Sequence, residues 1–85
     1  MEEIKQGIYK HFKGKFVNVL LIAKHSDREE SLVIYEGLND GGYFARPVES
    51  FTEMVQNKEG VIVPRFTPAT KEEIKNLENK GKELI

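Results

Sequence analysis

Apolar positions crowd most densely into Phe16 to His25, which reads Phe-Val-Asn-Val-Leu-Leu-Ile-Ala-Lys-His. Successive side chains of a strand alternate between faces, so Phe16, Leu20 and Ile22 oppose Val17, Val19, Leu21 and Ala23. Both sets are apolar, which predicts a central strand covered on both faces. Short strands are predicted around it. Gly7 opens one, Ile8 to Phe12, that turns through Lys13-Gly14 into the central strand and sets His11 beside Phe16. The polar loop Ser26-Asp27-Arg28-Glu29-Glu30 leads into Ser31 to Glu36, a β-branched and aromatic run. Pairing His25 with Ser31 sets Ala23 against Val33 and Leu21 against Tyr35, apolar against apolar.

Asn39-Asp40-Gly41-Gly42 is the strongest turn signal in the chain. A short strand, Tyr43-Phe44-Ala45-Arg46, follows it, and Pro47 ends that strand or confines it to an edge. Val48 to Val55 fits a helical turn leading into a fifth strand, Lys58-Glu59-Gly60 a hairpin tip, and Val61-Ile62-Val63 a strand that Pro64 closes. Five or six short antiparallel strands joined by Gly-containing turns predict a small barrel, because closure removes exposed edges. Then the period changes. Thr70-Lys71-Glu72-Glu73 is a capping box that starts a helix, with Thr67-Pro68 a competing start. Ile74 and Leu77 share a face, Leu84 extends it if the helix survives Gly81, and Gly81 is the expected cap. A helix this short is marginal alone, so it is expected to bury Ile74 and Leu77 on the outer face of the central strand. The fold class is thus mainly β, one domain over 1–85, with a barrel at 7–66 and a C-terminal helical segment at 67–85. Met1 to Gln6 is a leader with too little apolar surface to fix itself.

Composition narrows the function classes. An 85-residue chain buries only about 60 % of the surface its unfolded form exposes, so the core is small. It contains no cysteine, which removes disulfides and thiolate metal sites and suits a reducing compartment. No apolar run spans a bilayer, and the Met-Glu-Glu start lacks the regions of a secretion signal, so the expectation is a cytoplasmic protein with no membrane contact. A net charge of −1 builds in no long-range attraction to nucleic acid or anionic lipid, although a local patch stays open.

Several motifs, taken in order, resemble a known family. They are Gly7-Ile8-Tyr9-Lys10-His11-Phe12-Lys13-Gly14, Ala23-Lys24-His25-Ser26, Leu32-Val33-Ile34-Tyr35, Ala45-Arg46-Pro47, Phe51 with Glu53, and Val63-Pro64-Arg65-Phe66. Together they are similar to the bacterial domain of unknown function family 1653. The resemblance implies an SH3-like barrel and no established activity or cofactor. Phe44 and Ser50 stand where the family pattern leads us to expect Trp and Met.

Few residues carry distinctive chemistry. His11 and His25 lie on different strands without a close-spaced ligand partner, which argues against a metal pair and for imidazoles bonding loop backbone at strand ends. His25 beside Tyr35 or Glu36 would titrate near neutral pH. Arg46 and Arg65 each neighbour a proline, and a guanidinium on stiff backbone is a fork for a carboxylate or phosphate. Glu53 and Glu36 are candidate internal partners, and an external anion or peptide carboxylate is the alternative. Among Tyr9, Phe12, Tyr35, Tyr43, Phe44 and Phe66 most are expected in the core, with Tyr43 and Phe44 the exposed pair. The leading reading is a non-catalytic binding module for a protein or peptide, with His11, His25, Arg46 and Arg65 framing a polar patch beside Tyr43 and Tyr35. The alternatives are nucleic-acid binding through Lys10, Lys13, Lys15 and Lys24, and an enzyme using His25 with Arg46. Packing of the C-terminal helix against a second copy, giving a homodimer, is also open.

Overall fold

The computed structural model describes residues 4–39 and 41–83. Met1 to Glu3 of the leader, Asp40 of the Asn39 turn, and Leu84 lie outside the described residues. In chain order these form β1 (Gly7–His11), β2 (Phe16–Lys24), β3 (Ser31–Gly37), β4 (Tyr43–Pro47), α1 (Val48–Phe51), β5 (Met54–Gln56), β6 (Ile62–Pro64), β7 (Phe66–Pro68) and α2 (Lys71–Glu83). The apolar run is the middle strand of a five-stranded antiparallel sheet ordered β4-β3-β2-β1-β7, and β5 and β6 pair in a separate hairpin. The expected class, mainly β with a C-terminal helix, is the observed one.

The expected closed barrel is not. β4 and β7 are the two ends of the sheet and do not pair. Each ends in a proline, Pro47 and Pro68, which has no N–H to give a ladder. Side chains bridge the gap instead: Phe51 of α1 stacks on Phe66 of β7 with ring centroids 4.3 Å apart and planes within 4°. The described residues hold seven strands rather than five or six. The added one is β7, which forms where Thr67-Pro68 had suggested a helix start, so the expected boundary after residue 66 falls inside a strand.

Both hairpin registers differ by one residue from the expected ones. The β1–β2 turn is longer than two residues, with His11 N–H donating to the Lys15 carbonyl at 2.7 Å, so Lys10 rather than His11 faces Phe16. Gly14 permits this turn at φ +99°. In β2–β3, Val19 pairs with Tyr35 and Leu21 with Ile34, which leaves Leu20 as a bulge and sets Ala23 against Leu32. The extra residue switches which alternate positions point inward. Val17 and Val19 face the core before the bulge; after it Ile22 takes the same face, opposite the fully buried Val33, yet stays 43 % exposed.

The core consists of Val17, Val19, Val33, Tyr35, Phe51 and Phe66, with Ile4, Tyr9 and Val48 packed against it. α2 starts as the capping box predicts: Glu73 N–H donates to Thr70 Oγ1 at 3.1 Å and Thr70 N–H to Glu73 Oε1 at 3.0 Å. The Thr70 amide, reinforced by Lys10, holds the Glu73 carboxyl below the usual carboxylate range. Gly81 does not cap the helix, which continues to Glu83. Nor does α2 cover the whole outer face of β2. It reaches the sheet through the Lys10–Glu73 ion pair at 3.1 Å, and Leu21 stays 50 % exposed. Ile74 and Leu77 make too narrow a stripe to shield a five-stranded face. No helix among the described residues is long and apolar enough to cross a membrane.

Two substitutions separate these layers. Phe51→Ala is expected to cost about 3–5 kcal/mol in urea unfolding, because it opens a cavity under the aromatic stack. Thr70→Ala is expected to speed amide exchange at Ile74, whose N–H donates to the Thr70 carbonyl, at a cost of about 1 kcal/mol or less to the urea midpoint.

Candidate functional site

Residues opposite one another in a sheet share a face. Arg46 lies opposite Val33 and Phe44 opposite Tyr35, which puts Arg46 and Phe44 on the core side of β4. Phe66 lies opposite His11, which brings the far edge of the sheet to the same side. These strands enclose a concavity of about 190 Å3. Val17, Tyr35 and Phe66 are its buried floor, and Phe44, 47 % exposed, is a wall. Its polar groups are His11, Lys15, Asn39 and Arg46. Gly37 also lines it, for a steric reason: a Cβ there would lie 3.2 Å from both the Gly41 carbonyl and the Phe44 ring. Only a bare backbone lets that ring lie flush.

Arg46 is half-buried and held by neutral groups. Its Nε donates to the Tyr35 hydroxyl at 3.4 Å, its Nη1 donates to Ser50 Oγ at 3.1 Å, and its guanidinium sits 5.8 Å from the centroid of the Phe66 ring. No carboxylate among the described residues pairs with it. Arg65 differs. Its Nε donates to the Ser50 carbonyl at 3.1 Å and its Nη2 meets Glu53 at 3.2 Å. The internal partner expected for the arginines is therefore Glu53, and it serves Arg65 alone. Both arginines converge on Ser50 and fix α1 from two sides.

His11 packs edge-on to Phe66, with ring centroids 4.9 Å apart, and its Nδ1 accepts the Lys13 N–H at 3.2 Å. That bond leaves the proton of the neutral ring on Nε2. Burial, and then the charges of Arg46 and Arg65, lower its pKa from 6.5. His25 Nδ1 likewise accepts a backbone N–H two residues on, from Asp27 at 3.0 Å. Both imidazoles thus bond loop backbone at strand ends.

Of the residues singled out from the sequence, His11, Tyr35 and Arg46 come together in the concavity, and Arg65 joins them only through Ser50. His25 does not line it, and Tyr43, 72 % exposed, pairs with Glu36 on the opposite face. Sequence reasoning missed Ser50 and Asn39 as site residues and named Lys15 only for the nucleic-acid alternative. Asn39 had a signal with two meanings: it sits in the turn motif, yet its Oδ1 reaches back to accept the Phe16 N–H at 3.0 Å. Phe44 lines the cavity and Ser50 accepts a hydrogen bond from Arg46.

The His11 shift has a sign that can be measured. Its folded value lies below the unfolded one, so the unfolded chain takes up the proton first. The resulting stability is complete above pH 6.5 and is lost as pH falls through the folded pKa. Urea midpoints measured between pH 7.5 and 5 should fall more steeply for the native chain than for His11→Gln.

The family model described as Protein of unknown function (DUF1653) matches residues 7–68. Among solved structures, a crystal structure of a DUF1653 protein from Bordetella bronchiseptica aligns with a TM-score of 0.71 at 26 % identity, over 79 % of this chain and 88 % of that one. Comparison with curated proteins yields no match. All seven strands and every residue named in the concavity fall within the matched span, and the chain belongs to the DUF1653 family of proteins of unknown function.

Proposed function

We propose that the domain is a non-catalytic binding module that holds a protein or peptide partner by an acidic side chain seated against Arg46. The observation that carries this is a half-buried guanidinium, facing an aromatic concavity, that has no carboxylate partner among the described residues. Two of its five N–H donors go to hydroxyls, which leaves donors for an incoming carboxylate. The described lining residues include no acid.

Size and chemistry support a single side chain as the occupant. The 190 Å3 available is below the roughly 300–1,000 Å3 of small-molecule pockets. No described lining residue supplies a thiol, a carboxylate or an aliphatic hydroxyl, so a Ser or Cys nucleophile and a carboxylate pair are not among them. The lysines considered for nucleic acid do not form one track: Lys10 is engaged by Glu73, Lys13 lies over Phe12, and Lys24 is at the far end of β2 from Lys15. A cytoplasmic setting fits the lack of cysteine.

N-acetylglutamate α-amide, titrated into the 15N-labelled chain, should give saturable shifts at His11, Phe44 and Arg46. Arg46→Gln should weaken binding by about tenfold to a hundredfold, the range for a hydrogen bond to a charged group. Shifts that are absent from the concavity, or that survive in Arg46→Gln, would overturn the reading.

A further inference from the structure

β4 ends the sheet, so one of its backbone edges has no strand beside it. The hydrogen-bond pattern identifies the groups on that edge. Gly37 N–H donates to the Gly42 carbonyl at 3.0 Å, and backbone-bonded pairs recur at every second residue of an antiparallel ladder. In the observed register the next such pairs are Tyr35 with Phe44 and Val33 with Arg46. Phe44 and Arg46 therefore turn their backbone groups toward β3, and Tyr43 and Ala45 turn theirs away from the sheet. Both of these residues are exposed. The opposite edge is more protected. Phe12 N–H donates to the Arg65 carbonyl and Ala69 N–H to that of Ile8, so β7 turns Phe66 and Pro68 outward, and Pro68 has no N–H. Natural sheets guard their edges with charge, proline or bulges. Across Tyr43, Phe44 and Ala45 there is none.

The side chains along this edge define what it would accept. A residue added beside Arg46 would share its face and so point into the concavity, with Cβ atoms about 4.5–5.5 Å apart. The position two residues along would lie beside the Phe44 ring. We propose that an extended acidic peptide joins the sheet as a strand along β4, with Glu or Asp beside Arg46 and an apolar residue beside Phe44. This rests on the acidic-group reading of the concavity and adds main-chain recognition to it. A second copy of the chain would offer its own β4, which carries an arginine and no acid, so charge favours a foreign segment.

The probe is acetyl-Thr-Thr-Val-Thr-Glu-Thr-Val-amide, in which the residues two away from Glu on its own face are Val, titrated into the full 15N-labelled chain. At saturation the Tyr43 and Ala45 amides should exchange with solvent at least tenfold more slowly. Of two versions of the peptide, N-methylated at alternate amides, one should bind at least tenfold more weakly. Ala45→Pro, which removes an outward donor only, should weaken the peptide comparably and leave N-acetylglutamate α-amide within twofold. If the small amide binds but both N-methylated peptides bind like the parent, strand addition is overturned and the concavity reading stands. If neither the amide nor the peptide binds, both readings fall. A dimer that protects Tyr43 and Ala45 without peptide, seen by light scattering and exchange, also overturns the proposal.

Discussion

The stack of Phe51 on Phe66 is the contact on which the rest of the molecule depends. The chain leaves the sheet at β4, makes one turn as α1, and returns at β7 on the opposite edge. No ladder joins those two edges. Phe51 spans them, flat on Phe66, with Tyr9 edge-on at 5.4 Å and Tyr35 at 6.1 Å. An aromatic side chain buries about 150–250 Å2, worth about 4–6 kcal/mol at 25 cal/mol per Å2 as an upper bound. A small domain has about 5–15 kcal/mol in all. Curvature of the sheet, and with it the concavity, therefore rests on one seam of rings.

That seam also decides the fates of the two arginines. With α1 pinned by Phe51, Ser50 presents its hydroxyl to Arg46 and its carbonyl to Arg65. Glu53, just past α1, reaches Arg65. The same short segment supplies a counter-charge to one guanidinium and only a neutral oxygen to the other. Arg65 thereby becomes part of the frame, and Arg46 keeps donors that no carboxylate among the described residues takes. Burial first, and then the positive field of the two, lowers the pKa of His11, which favours a ring that contributes shape and one N–H over a third charge.

Much of the fold was legible because local signals agreed with it. The Thr70 capping box, the helical turn near Val48 and the exposed Phe44 could be seen in the pattern of residue types. The central strand was found, but its doubly apolar pattern was misleading. Part of that pattern is a change of parity at the Leu20 bulge, not a second covered face, and a bulge has no fixed residue signature. β7 was hidden because Thr67-Pro68 also describes a helix start. At the site, His11, Tyr35 and Arg46 were named from the sequence, since stiff flanks and rare residue types mark them. His25 and Tyr43 were grouped with them wrongly: strand parity sends Tyr43 to the far face, and His25 lies beyond the end of β2.

The unequal edges also bear on how the molecule tolerates crowding. A sheet with two equally open sides can stack head to tail, one copy's first border on the next copy's last, and such a repeat never closes. Here the β7 side can offer a newcomer only a single outward amide, because Pro68 holds the other place. Pro68 thereby removes one of the two outward main-chain donors that such a repeat would use on that side.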